Sequence, residues 1–545
     1  MEMTKKMKMA AVGAAAVAVV GGGVFAYPRP AGGDPKETVI QAFENVYTEG
    51  QTDPMEELFG LSEFAKAGVS ASQNSGLMLK LDSCSEPAVN TYAGSGLRID
   101  AKNDVENNKV SANMGIIYNG MDLVNLDLYY GDDTVMAAVP ELSPKVFTLD
   151  FGEGLEERLK NSPMLGSALE QSGVDASVMA EYMELLAEQA RQTQEGQAAS
   201  FDLKALMKRY REGCKAEDDF KAALTVEKGE KASFTIDGKE QACRGYEVTV
   251  SKEAMINFLR TSSDFFLQDE VLKKDFLKRL ELSVKLSQLA GAQMEGQDFP
   301  TAQEMQEQTY EEARTEIDGM IAFLDSSLND VSMTVYVDKE GCLASVKGTT
   351  SFNSTGSEAE PVQLQFGCEL KGGAYPTQNM SAQAVLENGA ASVQIEAVKE
   401  GAYDGKELTS GFELSIENQG EIAEKWDITL DSSYNSEGGG FDVQAAAAQD
   451  GMELLGFSAQ GVVDELEKGK NIHLTLDSLD VSAMGDTGNA VLSGEYYIRP
   501  LTEEVVPLEG DTMDVLAAGE EEWNSVLMEV LFSFISLSGQ MDTGN

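Results

Sequence analysis

Along most of this chain apolar residues recur at every second position, the period of a strand with one buried face. Between Gly76 and Phe151 the segments "LMLKLDS", "GLRIDAK", "KVSANMGIIYNG", "MDLVNLDLYYG" and "DTVMAAV" alternate or run apolar, with Gly, Asn and Asp between them. Asn119-Gly120 in "YNGMD" is a two-residue hairpin signal. The alternation returns in "SFTIDG" and "GYEVTVS" and dominates from Val331 to Pro500. In "FELSIEN" Phe412, Leu414 and Ile416 share one face and Glu413, Ser415 and Glu417 the other. "WDITLDSSY" sets Trp426, Ile428 and Leu430 against Asp427, Thr429 and Asp431. "FDVQAAAA", "NIHLTLDSLDV" and "GEYYI" continue the series, so a long antiparallel sheet with one apolar and one acidic face is expected.

Helical periods fill the intervals. Asp34 caps and Pro35 opens a first helix with Val39, Ala42, Phe43, Val46 and Tyr47 on one stripe. Val178, Tyr182, Leu185, Leu186 and Gln189 form a second stripe, and Leu203, Leu206, Met207 and Tyr210 a third. A longer block over 252–328 carries Ile317, Met320, Ile321, Leu324 and Leu328 on one face. Near the C-terminus Trp523, Val526, Leu527, Val530, Leu531, Phe534 and Ile535 follow the helical repeat without a miss, and Met528 and Phe532 widen it. This face is the candidate interaction surface, expected to dock on the chain's own sheet, on a partner or on a membrane surface.

Helices and strands segregated in blocks predict an α+β fold. The expected architecture is a long, curved, half-barrel-like antiparallel meander with covering helices inserted between strand blocks. The expected divisions are 28–75 for spacer and leading helix and 76–375 for an α+β region. Within that region strands fall at 76–151, 222–250 and 331–371, and helices at 153–213 and 252–328. A meander over 376–510 and a C-terminal amphipathic helix over 511–545 complete the chain.

Residues 1–27 read as a signal peptide or an N-terminal membrane anchor. Lys5, Lys6 and Lys8 precede an uncharged run from Met9 to Tyr27, the charge pattern of a segment whose C-terminal side is exported. The run is long enough to cross ~30 Å of hydrocarbon, while Val24-Phe25-Ala26 has the small-x-small form of a cleavage site after Ala26. The expected location is the cell membrane with the ectodomain outside, or secretion if cleaved. Pro28, Pro30, Gly32, Gly33 and Pro35 then form a spacer.

Charge narrows the partners. Lys plus Arg number 41 against 92 Asp plus Glu, a net charge of -51. That field repels nucleic acid, so no nucleic-acid role is expected. The five cysteines are an odd number for an exported chain. Cys214 with Cys243, and Cys342 with Cys368, are the nearest candidate disulfide pairs, and spacing leaves the connectivity open. No CxxC and no clustered His forms a metal site, and no cofactor is expected.

The element order, a helix after an export segment and then a broad antiparallel sheet with helices on one side, resembles LolA-like and LppX-like envelope proteins. That resemblance implies a half-barrel holding lipid acyl chains. The run "YYGDDTVMAAVPELSPKVFTLDF", Tyr129 to Phe151, is similar to uncharacterised single-span or secreted envelope proteins of Gram-positive bacteria, which implies a location and no activity.

Catalytic signatures are sparse. His473 is the sole His, and in "NIHLTL" it points away from the apolar face of Ile472, Leu474 and Leu476. "GFSAQG" lies among strands and is one residue too long for a nucleophile elbow. "DFGEG" lacks the other kinase motifs, and no GxxxxGK[ST] or GxGxxG supports nucleotide binding. The expectation is a non-enzymatic extracytoplasmic protein holding a lipid or other apolar molecule between sheet and helices. A surface or assembly protein acting by protein contacts is the alternative, and a carboxylate-dependent hydrolase the third.

Overall fold

The computed structural model describes residues 34–46, 53–166, 169, 176–194, 203–291, 300–353, 361–389, 391–420, 423–483 and 488–543. The run Met9 to Tyr27 and the spacer up to Gly33 lie outside the described residues.

Three helices lead the chain: α1 (Pro35–Val46), α2 (Pro54–Phe59) and α3 (Leu61–Ser70). A first meander follows, formed by β1 (Gln73–Cys84), β2 (Gly96–Asp104), β3 (Lys109–Tyr118), β4 (Met121–Gly131), β5 (Thr134–Ala138) and β6 (Lys145–Asp150). A short α4 (Pro87–Asn90) sits between β1 and β2. The β3–β4 turn is the one read from Asn119-Gly120. Both residues adopt positive φ, 49° and 76°, the conformation a two-residue hairpin with native twist requires.

The chain then runs through α5 (Leu155–Lys160), α6 (Ala176–Gln194), α7 (Leu203–Gly213) and α8 (Ala216–Ala223) into β7 (Thr225–Ile236) and β8 (Lys239–Val250). Next come α9 (Lys252–Gln268), α10 (Glu270–Gly291) and α11 (Ala302–Ser327). Thr301 and Glu304 close a reciprocal capping box at the start of α11.

The second meander is β9 (Val331–Val337), β10 (Leu343–Phe352), β11 (Val362–Leu370), β12 (Met380–Asn388), β13 (Ala391–Tyr403) and β14 (Glu407–Gln419). It continues through β15 (Glu424–Asn435), β16 (Gly440–Gln449), β17 (Met452–Glu467), β18 (Asn471–Ala483) and β19 (Gly488–Pro500). β20 (Asp511–Asp514) and α12 (Glu520–Thr543) end the described chain.

The twenty strands among the described residues join one unclosed sheet. β7 through β19 lie side by side in chain order, and β19 pairs with β1, so the N-terminal meander extends the C-terminal one. The order then runs β1 to β6 and ends at β20, which makes the only parallel pairing among the described residues. β11 and β12 pair continuously across residue 375, so the expected division there is not a break in the sheet.

Every packed helix lies on one face. Around α1, α9 and α11, the side chains Val39, Met255, Ile256, Ile321 and Leu324 interlock with Val248, Val331, Val335, Phe352 and Leu364 in the largest core. These strand residues sit at alternate positions, so they share a side by the pleat. α5 and α6 pack through Leu155, Leu159 and Ala180 with Leu149 at the other end of the sheet. A continuous chain of helix contacts, α5 on α6, α6 on α10, and α10 on α11, links the two ends.

Candidate functional site

The apolar face can be followed strand by strand through the pairing register. Ile395 of β13 opposes Ile416 of β14, and Ile416 opposes Trp426 of β15. Ile428 and Leu430 oppose Ala447 and Ala445, which oppose Leu455 and Phe457 of β17. Leu455 and Phe457 oppose Ala483 and Val481, and Val481 opposes Ala490 of β19. The row crosses into the N-terminal meander through Leu492 with Leu81 and Tyr496 with Leu77. It continues through Leu79 with Leu97, Leu97 with Ile116, and Ile116 with Val124. One uninterrupted apolar surface therefore spans β13 to β4.

Over this stretch, among the described residues, helices cover the face toward one rim only. Near the turns that follow β13, β15 and β17, α2 closes the surface: the Phe59 ring lies tilted against Tyr434 at 4.9 Å and packs with Leu408, Val463, Leu466 and Ile472. The Phe59 carbonyl also accepts the Gly469 amide at 2.9 Å. Toward the opposite rim, where β3 turns into β4 and β16 into β17, the same face is open. Ile116 is 51% exposed, Leu455 59% and Phe457 41%, and Leu77, Leu97, Met114, Ile428, Leu430 and Val481 are exposed beside them. The alanines at 445, 447, 483 and 490 set a low floor between the larger side chains, so the surface is an open trough.

At the β6 end the trough meets α12. Leu128 opposes Ala137, Ala137 opposes Phe147, and the Phe147 ring stacks on Trp523 at 6.0 Å. Val526 is buried with Met513 and Ala518, and Val530 packs against them. Of the seven expected interface residues, Trp523, Val526 and Val530 thus dock on the chain's own sheet. Leu527, Leu531 and Ile535 are exposed on the flank of the helix with Met528 and Phe532 beyond them, and Phe534, one turn past Val530 on the docked stripe, is exposed as well. One stripe in the sequence is two faces in the structure.

The opposite face of the sheet carries a polar network over β2 to β4, and two buried apolar clusters elsewhere: Tyr129, Met136, Ala138 and Val146 under Val505, and Ile236 with Cys243 and Ala344. Arg98 donates to Asp122 at 3.0 Å and to Asn125 at 3.0 Å, Asn125 donates to Glu141 at 2.7 Å, and Asn113 to Asp127 at 2.7 Å. The Tyr497 hydroxyl donates to Asp100 at 2.7 Å, and burial together with that carboxylate pushes the phenol up to about 12. His473 stands on this face across from Tyr497, 3.6 Å from Glu495 and 3.9 Å from Asp464. "GFSAQG" is interior to β17, so Ser458 has no strand-to-helix turn beneath it.

The structure corrects the disulfide expectation: all five cysteines are free thiols. Cys214 lies beside Thr261 of α9, on the helical side, whereas Cys243 is buried with Ile236, Ala344 and Tyr336 on the other face. The sheet separates them. Cys342 ends the β9–β10 turn, while Cys368 opposes Val346, four residues along the strand, ~13 Å away and beyond disulfide reach. Burial raises the Cys243 thiol to about 11 and also raises Cys342 and Cys368, which keeps them protonated and unreactive.

Sequence periodicity located the apolar face but not its bare half. Alternation reports which side a residue faces and carries no record of whether a second layer covers that side. No family model, curated protein or solved structure matches the chain.

Proposed function

We propose that the protein is a non-enzymatic extracytoplasmic binding protein whose open trough holds an apolar ligand, with a lipid acyl chain as the best fit. The observation that carries this reading is the exposed row Leu77, Leu97, Met114, Ile116, Ile428, Leu430, Leu455, Phe457 and Val481 on one face of consecutive strands. Contiguous apolar surface of this extent is uncommon on a soluble protein and marks a site covered by something else. A groove lined by aliphatic and aromatic side chains with few polar groups selects by length and shape, as an acyl chain requires. The export reading of residues 1–27 puts such a protein at the cell envelope, where acyl chains are abundant. Organic extraction of purified full-length protein followed by mass spectrometry tests the reading. Stoichiometric lipid is expected. An empty protein that also fails to take up a long-chain fluorescent fatty acid overturns it.

A further inference from the structure

Four of the exposed apolar side chains outside the trough floor lie together at one rim. Val89 and Tyr92 follow β1, Met121 begins β4 and Met452 begins β17, all strongly exposed. Antiparallel pairing places these turns at the same end of the strands. α12 heads toward that end as well. From Trp523 against the middle of β6 it rises to Glu529, which accepts the Ser143 hydroxyl at 2.8 Å in the turn before β6. Val530 is its last residue in the packed cluster, and the helix continues to Thr543, ~20 Å farther at 1.5 Å per residue.

This continuation has no charged residue from Val530 to Gln540. Leu527, Met528, Val530, Leu531, Phe532, Phe534 and Leu537 spread over roughly 220° of the helix circumference at 100° per residue. An arc that wide exceeds the stripe needed to dock on one protein surface and suits immersion in an apolar medium. Among the described residues no helix is long and apolar enough to cross a membrane, so α12 matches a helix lying at an interface.

Charge selects the surface. The molecule carries -51, and Glu86, Asp450 and Glu453 stand among the rim residues, so anionic headgroups and a second copy of the chain are both repelled. A zwitterionic bilayer carries no such penalty.

We infer that this rim and the outer half of α12 form a docking surface for a neutral lipid bilayer, seating the open end of the trough on the membrane. The inference goes beyond ligand binding, and either can fail alone. The test compares full-length protein with a Leu531→Glu, Phe532→Glu double variant by hydrogen exchange, with and without phosphatidylcholine vesicles. Both proteins retain residues 1–33, so any affinity of that segment cancels. Vesicles are expected to slow exchange ~10-fold or more at 118–121, 449–452 and 527–537 in the wild type and in none of these in the variant. The variant should still bind a fluorescent fatty acid with wild-type affinity. Wild-type exchange unchanged by vesicles overturns the docking and leaves the trough reading standing. Protection that appears without vesicles and tracks a doubled mass in light scattering also overturns it, in favour of a second copy. Lost fatty-acid binding in a variant that keeps rim protection overturns the separation of the two surfaces.

Discussion

Leu455 and Ile116 provide the sharpest test of the trough, because they lie five strands apart on one face. At ~4.8 Å per strand the separation is ~24 Å, so a compact ligand touches one of them and an extended acyl chain touches both. Leu455 is 59% and Ile116 51% exposed. Covering a whole Leu or Ile side chain is worth about 2.5 kcal/mol, so the open portions carry about 1.5 and 1.3 kcal/mol. Leu455→Ser should weaken binding ~12-fold and Ile116→Ser ~9-fold. At this distance the effects add, and the double variant should bind a long-chain fluorescent fatty acid ~100-fold more weakly. A single-ring apolar dye should respond to one substitution and ignore the other. The portion of each side chain already packed is worth only about 1 kcal/mol, so thermal unfolding should move by a few degrees. Titration by fluorescence with parallel melting curves measures both quantities. Unchanged affinity in the double variant, with the fold intact, refutes the assignment of the trough as the binding surface.

Four further outcomes follow from the packing and the charges. Leu324→Ala, at the centre of the largest core, should cost about 2–5 kcal/mol in chemical denaturation and leave ligand affinity per folded molecule unchanged. Lys221→Met strands the buried Glu44 carboxylate, which Lys221 contacts at 3.1 Å, and should cost about 3–5 kcal/mol, with Glu44→Gln restoring part of the loss. Burial raises the Asp338 carboxyl above its ordinary 3.8 despite bonds from the Glu340 and Cys342 amides. Its favourable neutral form is fully present below that value and lost as pH rises through the raised one, so Asp338→Asn should gain stability over wild type at neutral pH and lose the advantage in acid. The Asp269 carboxyl is held below 3.8 first by the Arg209 guanidinium, at 2.9 Å through two nitrogens. Its contribution is present above 3.8 and lost as pH falls through the lowered value, so Asp269→Asn should destabilise at neutral pH and converge with wild type in strong acid.

Most of the strand layout was legible in the sequence because an alternating pattern can be satisfied in only one way by a strand with one wet face. Phe412, Leu414 and Ile416 do oppose Leu430, Ile428 and Trp426, and Asn119-Gly120 makes its turn. The join between β1 and β19 was not legible, since pairing across more than 400 residues leaves no local trace. The cysteine pairs failed for a related reason. Nearness along the chain says nothing about which side of a sheet a residue faces, and Cys214 and Cys243 fall on opposite sides. The α12 stripe was found whole, but periodicity could not divide it into the part that packs with Phe147 and the part that is exposed.

A single sheet of twenty strands with a half-bare apolar face should aggregate through its edges unless they are blunted. Both are. At one end β7 carries Glu227, Lys228, Glu230 and Lys231, and its pairing slips between Lys228 and Lys231, which bends the strand away from a flat template. At the other, β20 is four residues long and runs parallel to β6, flanked by Asp511 and Asp514. With the edges closed to strand addition and the opposite face of β2 to β4 occupied by the Arg98, Asp122, Asn125 and Glu141 network, the half-open face of these strands is the side on which apolar contact is unopposed. Blunted edges combined with a preserved trough are what selection for a ligand on that face would leave. A sheet selected only for stability would gain by extending α2 or α12 over Leu455 and Ile116.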